Sequence, residues 1–276
     1  MATKNKKAKK TVYIHIGSPK TGTTGIQQFL TINHNTLKKE GIFYPLIGRD
    51  NGAEDLLING DFLKKDNYIK SLKKLIKQFS KNNCHSMILS EEVLFVDVAY
   101  LFTNITDNRY SGVPDKSNIS NKLDIFDLTQ YDIKNIEFKI IVYLRNSVDY
   151  LCGMWQESIK WNHSSELESF ITTYPYAVSL QGIHELAGAV GKNNIIVKTF
   201  EKERWLNNDL LDDFLSIFKI NNSSRFKQPL RSNSGGDRQS IERISYANKM
   251  IGADIFNTND YTSSTCFKQG IVESLP

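Results

Sequence analysis

The run Gly17-Ser18-Pro19-Lys20-Thr21-Gly22-Thr23-Thr24 has the residue types and spacing to hold an anion. It lies between a β-rich run, Thr11 to Ile16, and a stretch with helical apolar spacing, so the turn falls at a helix N-terminus. Free backbone N–H groups and the positive end of the helix dipole attract negative charge there. Gly22 lets the backbone come close to a phosphate. Ser18, Thr21, Thr23 and Thr24 add hydroxyl groups, and Lys20 adds a mobile positive charge. The spacing of Gly17 and Gly22 is that of a Walker A loop, but Thr23-Thr24 stand where Lys and Ser/Thr belong, and the lysine comes earlier. No strand-terminal Asp suited to Mg²⁺ accompanies it.

Other residues could share in the chemistry. Arg145 ends the most apolar run of the chain, Phe138 to Leu144, and a planar guanidinium suits a phosphate because it bonds two oxygens at once. An ion pair with Asp149 is the alternative for Arg145. Glu91 and Glu92 follow Leu89-Ser90 at the end of a predicted strand, where open α/β sheets place ligands. They can serve as a general base or as acidic residues at the start of the next helix. His15 lies inside the first strand and reads as a packed, hydrogen-bonded side chain. Trp155, Trp161, Tyr174 and Tyr176 suit either a core or an acceptor pocket, with core preferred. The five histidines and three cysteines show no metal-ligand spacing.

The form of the loop resembles the phosphosulfate loop of bacterial-type sulfotransferases that use 3′-phosphoadenosine-5′-phosphosulfate (PAPS). The matching residues are Ile14-His15-Ile16-Gly17, Lys20 to Thr24, Gln27, Leu30, Leu37 and Gly41-Ile42-Phe43-Tyr44-Pro45. The resemblance continues through Ile140 to Leu151, Val197 to Lys202, Leu210 to Leu215, and Arg231-Ser232-Asn233-Ser234. It implies PAPS as co-substrate, with no metal, and transfer of a sulfuryl group to an acceptor hydroxyl, a small molecule or a glycan. Ser18, Lys20, Thr21, Gly22, Thr23 and Thr24 would hold the 5′ end, with Lys20 stabilising charge on the bridging oxygen. Arg145 would hold the 3′-phosphate, and Arg231 and Asn233 would belong to a loop over the nucleotide. The match to a strand–Ser–x–Glu block makes Glu92 the first choice of base and Glu91 the second. One departure stands out: the family's serine eight residues after the arginine is Gly153 here, with Ser147 and Ser158 as weak substitutes. The competing classes are a P-loop kinase or NTPase and a non-catalytic nucleotide-binding relative.

These residues need a scaffold. Strands are expected at 11–16, 42–44, 86–89, 138–144 and 194–200. Helices are expected at 22–34, 66–82, 147–161, 203–218 and 237–250, and after Glu92. The alternation implies an α/β fold, a P-loop-like parallel sheet flanked by helices on both faces. Residues 11–276 are expected to form a single domain. Residues 102–122 read as a polar insertion, and neither 160–190 nor 252–276 carries a readable signal.

The net charge of +5 has a local source, for five lysines fall within residues 1–10 and the rest holds 30 basic and 30 acidic residues. This balance argues against a nucleic-acid binder. The tail reads as a disordered arm with room for weak peripheral membrane contact. Three widely spaced cysteines, no signal-peptide pattern and no transmembrane run fit a cytoplasmic protein. Nothing in the sequence indicates an oligomeric state.

Overall fold

The computed structural model describes residues 9–46, 65–90, 135–160, 166–173, 176–229 and a few positions between 241 and 249. Glu91, Glu92, Arg231, Asn233, and the 102–122 and 252–276 stretches lie outside the described residues.

The chain runs β1 Lys10–His15, α1 Thr23–Ile32, α2 His34–Lys39, β2 Ile42–Phe43, α3 Lys65–Lys81, β3 Ser86–Ser90, β4 Ile136–Leu144, α4 Ser147–Lys160, α5 Leu167–Thr173, α6 Tyr176–Val190, β5 Ile195–Thr199 and α7 Leu210–Ser216. The five strands form one parallel sheet in the order β2-β3-β1-β4-β5. Side chains on a strand alternate between faces, which divides the core in two. Val12, Ile14, Met87, Leu89, Ile140 and Val142 pack with Leu72, Ile76 and Phe79 of α3 and with Ile183 and Leu186 of α6. On the other face Ile88, Ile141 and Tyr143 meet Ile26, Phe29 and Leu30 of α1 and Phe214 and Leu215 of α7. The α/β architecture with helices on both faces is therefore the one the strand–helix alternation implies. Phe29, Leu30 and Phe79 are fully buried, each stabilising the fold by roughly 1.5–3 kcal/mol.

Three local outcomes follow from identifiable residues. Gly41 ends the first helical unit at φ 78°, a left-handed conformation suited to glycine, and its carbonyl accepts the N–H groups of His85 and Ser86 at 2.9 and 3.2 Å. The strand β1 begins at Lys10, whose ammonium donates to the carbonyl of Phe79 at 2.7 Å. The single helix expected over 203–218 is instead two 3₁₀ turns, Lys202–Arg204 and Leu206–Asn208, followed by α7. Asn207 and Asn208 break the run at φ 55°, and the Asp209 side chain caps α7 by accepting from the N–H groups of Leu211 and Asp212.

Residues 1–145 with 177–230 make up one compact unit, and 146–176 with 231–276 a second. In the second, α4 and α5 pack around Trp155, Ile159, Phe170 and Ile241, so Trp155 is a core residue. The Asn146 side chain caps α4, accepting from the Asp149 N–H at 3.0 Å, while its amide donates to the Asp149 carboxylate at 2.6 Å. Among the described residues no helix is long and apolar enough to cross a membrane.

Candidate functional site

In the sheet the chain leaves β1 toward β2 and β3 on one side, and passes from β4 to β5 on the other. The direction of connection therefore reverses between neighbouring β1 and β4. Ligands bind outside the carboxyl ends of strands at such a reversal. The loop after β1 and the tip of β4 lie there.

The loop is built by left-handed backbone at Gly17, Lys20 and Gly22, at φ 57°, 64° and 73°. A lysine in this region is strained and persists only when its surroundings hold it. Here the Thr21 N–H and hydroxyl both donate to the Ser18 carbonyl, and the Ser18 N–H donates to the Thr21 hydroxyl at 3.3 Å. The Arg145 guanidinium donates to the Lys20 carbonyl at 3.2 Å. Ser18 and Thr21 are buried, and Lys20 is half-buried.

Gly22 is the N-cap of α1, and no side chain caps that helix. An uncapped first turn leaves its N–H groups to a ligand or water. At the first residue of the helix, the Thr23 hydroxyl is buried with no hydrogen-bond partner. Orphaned buried hydroxyls are rare and call for an explanation. An oxyanion at this helix end would supply the missing partner.

Gly22 also answers to packing. A Cβ there would lie 2.5 Å from Leu210 Cδ2 and 3.3 Å from Phe200 Cε2. The reading of Gly22 as a point of close phosphate approach is thus joined by a second reason, contact with the segment after β5. Phe200 belongs to the same construction. Its N–H donates to the Leu144 carbonyl at 2.7 Å, and Arg145 lies over its ring at 5.7 Å from the centroid. Trp205 leans on Phe200 at 5.0 Å and donates its indole N–H to the Thr199 carbonyl. Sequence reasoning gave Phe200 no role, since it meets Arg145 only through strand pairing.

The predicted residues divide as follows. Ser18, Lys20, Thr21, Gly22, Thr23, Thr24 and Arg145 come together at the β1–β4 strand ends. Gly153 lies within α4 of the second unit, half-buried, where a mid-helix glycine costs roughly 0.5–1 kcal/mol relative to alanine. The Ser158 hydroxyl donates to the Trp155 carbonyl at 2.8 Å within that helix. Glu91, Glu92, Arg231 and Asn233 lie outside the described residues.

His15 is fully buried at the end of β1, its ring packed edge-on to Phe214 at 5.5 Å. Its Nδ1 lies 2.8 Å from the Ser90 hydroxyl, and its Nε2 has no partner. An orphaned buried acceptor is less rare than an orphaned donor, so we assign the hydrogen to Nδ1, donating to Ser90 Oγ. Burial pushes the imidazole pKa down from 6.5 to about 4. His15 is thus a packed, hydrogen-bonded side chain, as expected.

A stability prediction follows. The folded-state pKa is depressed, so the native protein binds fewer protons than the unfolded chain. The contribution is complete above pH 6.5 and is lost as pH falls toward 4, amounting to about 3 kcal/mol in all. Urea unfolding of the wild type should show stability falling from pH 6.5 to 5 relative to a His15→Asn variant. Parallel curves for the two proteins would contradict this.

The same face holds a second buried polar cluster. Tyr143 donates to Asp213 at 2.8 Å, and the Lys198 ammonium lies 2.8 Å from the other oxygen of that carboxylate. Burial, then the hydrogen bond and charge of Asp213, push the Tyr143 phenol well above its usual value. A carboxylate embedded in the run Leu-Leu-Asp-Asp-Phe-Leu is the sequence signal that it is buried and partnered. Among the described residues no group of three or more His, Cys, Asp or Glu side chains could hold a metal ion.

No protein-family model matches the chain, and no curated protein matches it. Among solved structures the chain is similar to the crystal structure of a sulfotransferase from Alicyclobacillus acidocaldarius. The two are 13% identical with a TM-score of 0.38, over 88% of this chain and 95% of that one.

Proposed function

We propose that the protein is a sulfotransferase that moves the sulfuryl group of PAPS to an acceptor hydroxyl of a small molecule or a glycan. The observation that carries the reading is the adjacency of two anion handles at the β1–β4 strand ends. One is the uncapped α1 N-terminus with Lys20 and the orphaned Thr23 hydroxyl. The other is Arg145, bonded to the Lys20 carbonyl. A donor with a 5′-phosphosulfate and a separate 3′-phosphate needs two such handles. The order Lys20, Gly22, Thr23-Thr24 supports this donor over a Mg²⁺-bridged triphosphate.

In the proposed reaction the acceptor oxygen attacks sulfur in line with the bridging oxygen. A new S–O bond forms as the bridging S–O bond breaks, and adenosine 3′,5′-bisphosphate leaves. The Lys20 ammonium and the first-turn N–H groups of α1 neutralise charge developing on the leaving phosphate. Arg145 fixes the ribose phosphate through its planar fork. A carboxylate, Glu92 or Glu91, takes the acceptor proton.

Ligand-induced stabilisation tests the donor. Adenosine 3′,5′-bisphosphate at about 100 times its Kd should stabilise the fold by about 2.7 kcal/mol, read as a rise in Tm. ATP with Mg²⁺ should do far less. Stabilisation by ATP–Mg²⁺ and none by the bisphosphate would overturn the proposal in favour of a kinase or NTPase.

A further inference from the structure

The loop between β1 and α1 has two arms, and one residue outside it touches both. The strand arm ends at His15, whose Nδ1 bonds the Ser90 hydroxyl at 2.8 Å. The helix arm is the first turns of α1. There Gln27 stands one turn beyond Thr23 on the same helix face and reaches the Ser90 carbonyl through a long contact of 3.5 Å. Ser90 is the last residue of β3, pairs with His15 across the sheet and is fully buried. The His15–Ser90 bond lies where no solvent competes for it, and buried polar pairs of this kind specify position more than they add stability. The ring packs against Tyr143 and Phe214 and its Nε2 makes no bond, so the imidazole is held through Nδ1.

We infer that His15 and Ser90 are positioning residues for the anion loop. The Nδ1–Oγ bond fixes the strand arm against β3, the Gln27 contact fixes the helix arm against the same residue, and together they set the separation of the α1 N-terminus from β1. This rests on the reading of that loop as the donor site. The side chains act through the loop and need not touch the ligand.

The geometry dictates which replacements work. The amide nitrogen of asparagine can occupy the place of Nδ1, whereas glutamine carries its amide further out, toward the place of Nε2. The test is the Kd of adenosine 3′,5′-bisphosphate, by calorimetry, for wild type, His15→Asn, His15→Gln, Ser90→Ala and the His15→Gln/Ser90→Ala double variant, each with its Tm. His15→Asn should stay within about twofold of wild type, while His15→Gln and Ser90→Ala should each weaken binding about tenfold, as loss of one well-placed bond does. The double variant should be no weaker than the weaker single variant, because both remove the same bond. Equal affinity across all variants that remain folded would overturn the inference while leaving the donor reading intact. So would additive losses, or equal losses for the asparagine and glutamine variants. A wild type that binds no bisphosphate would instead sink the donor reading itself.

Discussion

Replacing Lys20 with alanine is expected to lower the rate of sulfuryl transfer by about 10²–10³-fold, the range seen when one preorganised donor to a developing anion is removed. The effect should fall on kcat more than on donor binding, because the charge on the bridging oxygen grows only as the bond to sulfur breaks. The fold should survive. The backbone at residue 20 is already left-handed, and neither the bonds between Ser18 and Thr21 nor the one from Arg145 to the Lys20 carbonyl involves the lysine ammonium. Stability should therefore stay within about 0.5 kcal/mol of wild type. Single-turnover transfer from labelled PAPS, set beside urea unfolding of the same preparation, measures both quantities. Full activity in the variant would remove Lys20 from the chemistry.

The second large effect belongs to Arg145. Its guanidinium sits at a strand tip, rests on the Phe200 ring and bonds the loop carbonyl, so it is held in place before any ligand arrives. Charge-assisted hydrogen bonds contribute about 1.5–3 kcal/mol, so Arg145→Ala should raise the Kd of adenosine 3′,5′-bisphosphate by roughly 10–100-fold. Arg145→Lys should recover little of this. An ammonium keeps the charge but loses the planar fork and stacks less well on an aromatic ring. Adenosine 5′-monophosphate, which lacks the 3′-phosphate, should lose far less affinity on Arg145→Ala than the bisphosphate does. Unchanged bisphosphate affinity in Arg145→Ala would remove the residue from donor binding.

Much of this arrangement is legible in the sequence. The runs Val12 to Ile16 and Phe138 to Leu144 announce buried strands because parallel sheets bury both faces and need no polar alternation. The helix α3 shows itself through Leu72, Ile76 and Phe79, one stripe against lysines. Other parts are hidden for physical reasons. The helix α6 carries Gly182 and Gly188 and small side chains, which weaken the helical signal that Ile183 and Leu186 would otherwise give. The failure at 203–218 is instructive. Asn207-Asn208-Asp209 combines two residues that tolerate left-handed backbone with a strong capping residue, and a stop and restart was there to be read. At the site, the loop and Arg145 could be found from their own neighbourhoods. The placing of Phe200 under Arg145, and of Ser90 beside His15, comes from strand pairing between segments far apart in the chain.

The contact of Gly22 with Phe200 and Leu210 separates two pressures on neighbouring positions. A descendant of this chain that had lost the proposed activity would still be under pressure to keep glycine at 22, because the backbone there is left-handed and a Cβ would crowd Leu210 and Phe200. Position 20 would then be free to drift. In a newly sequenced relative, glycine at the first position would report shared architecture, whereas lysine at the second would bear on the proposed transfer.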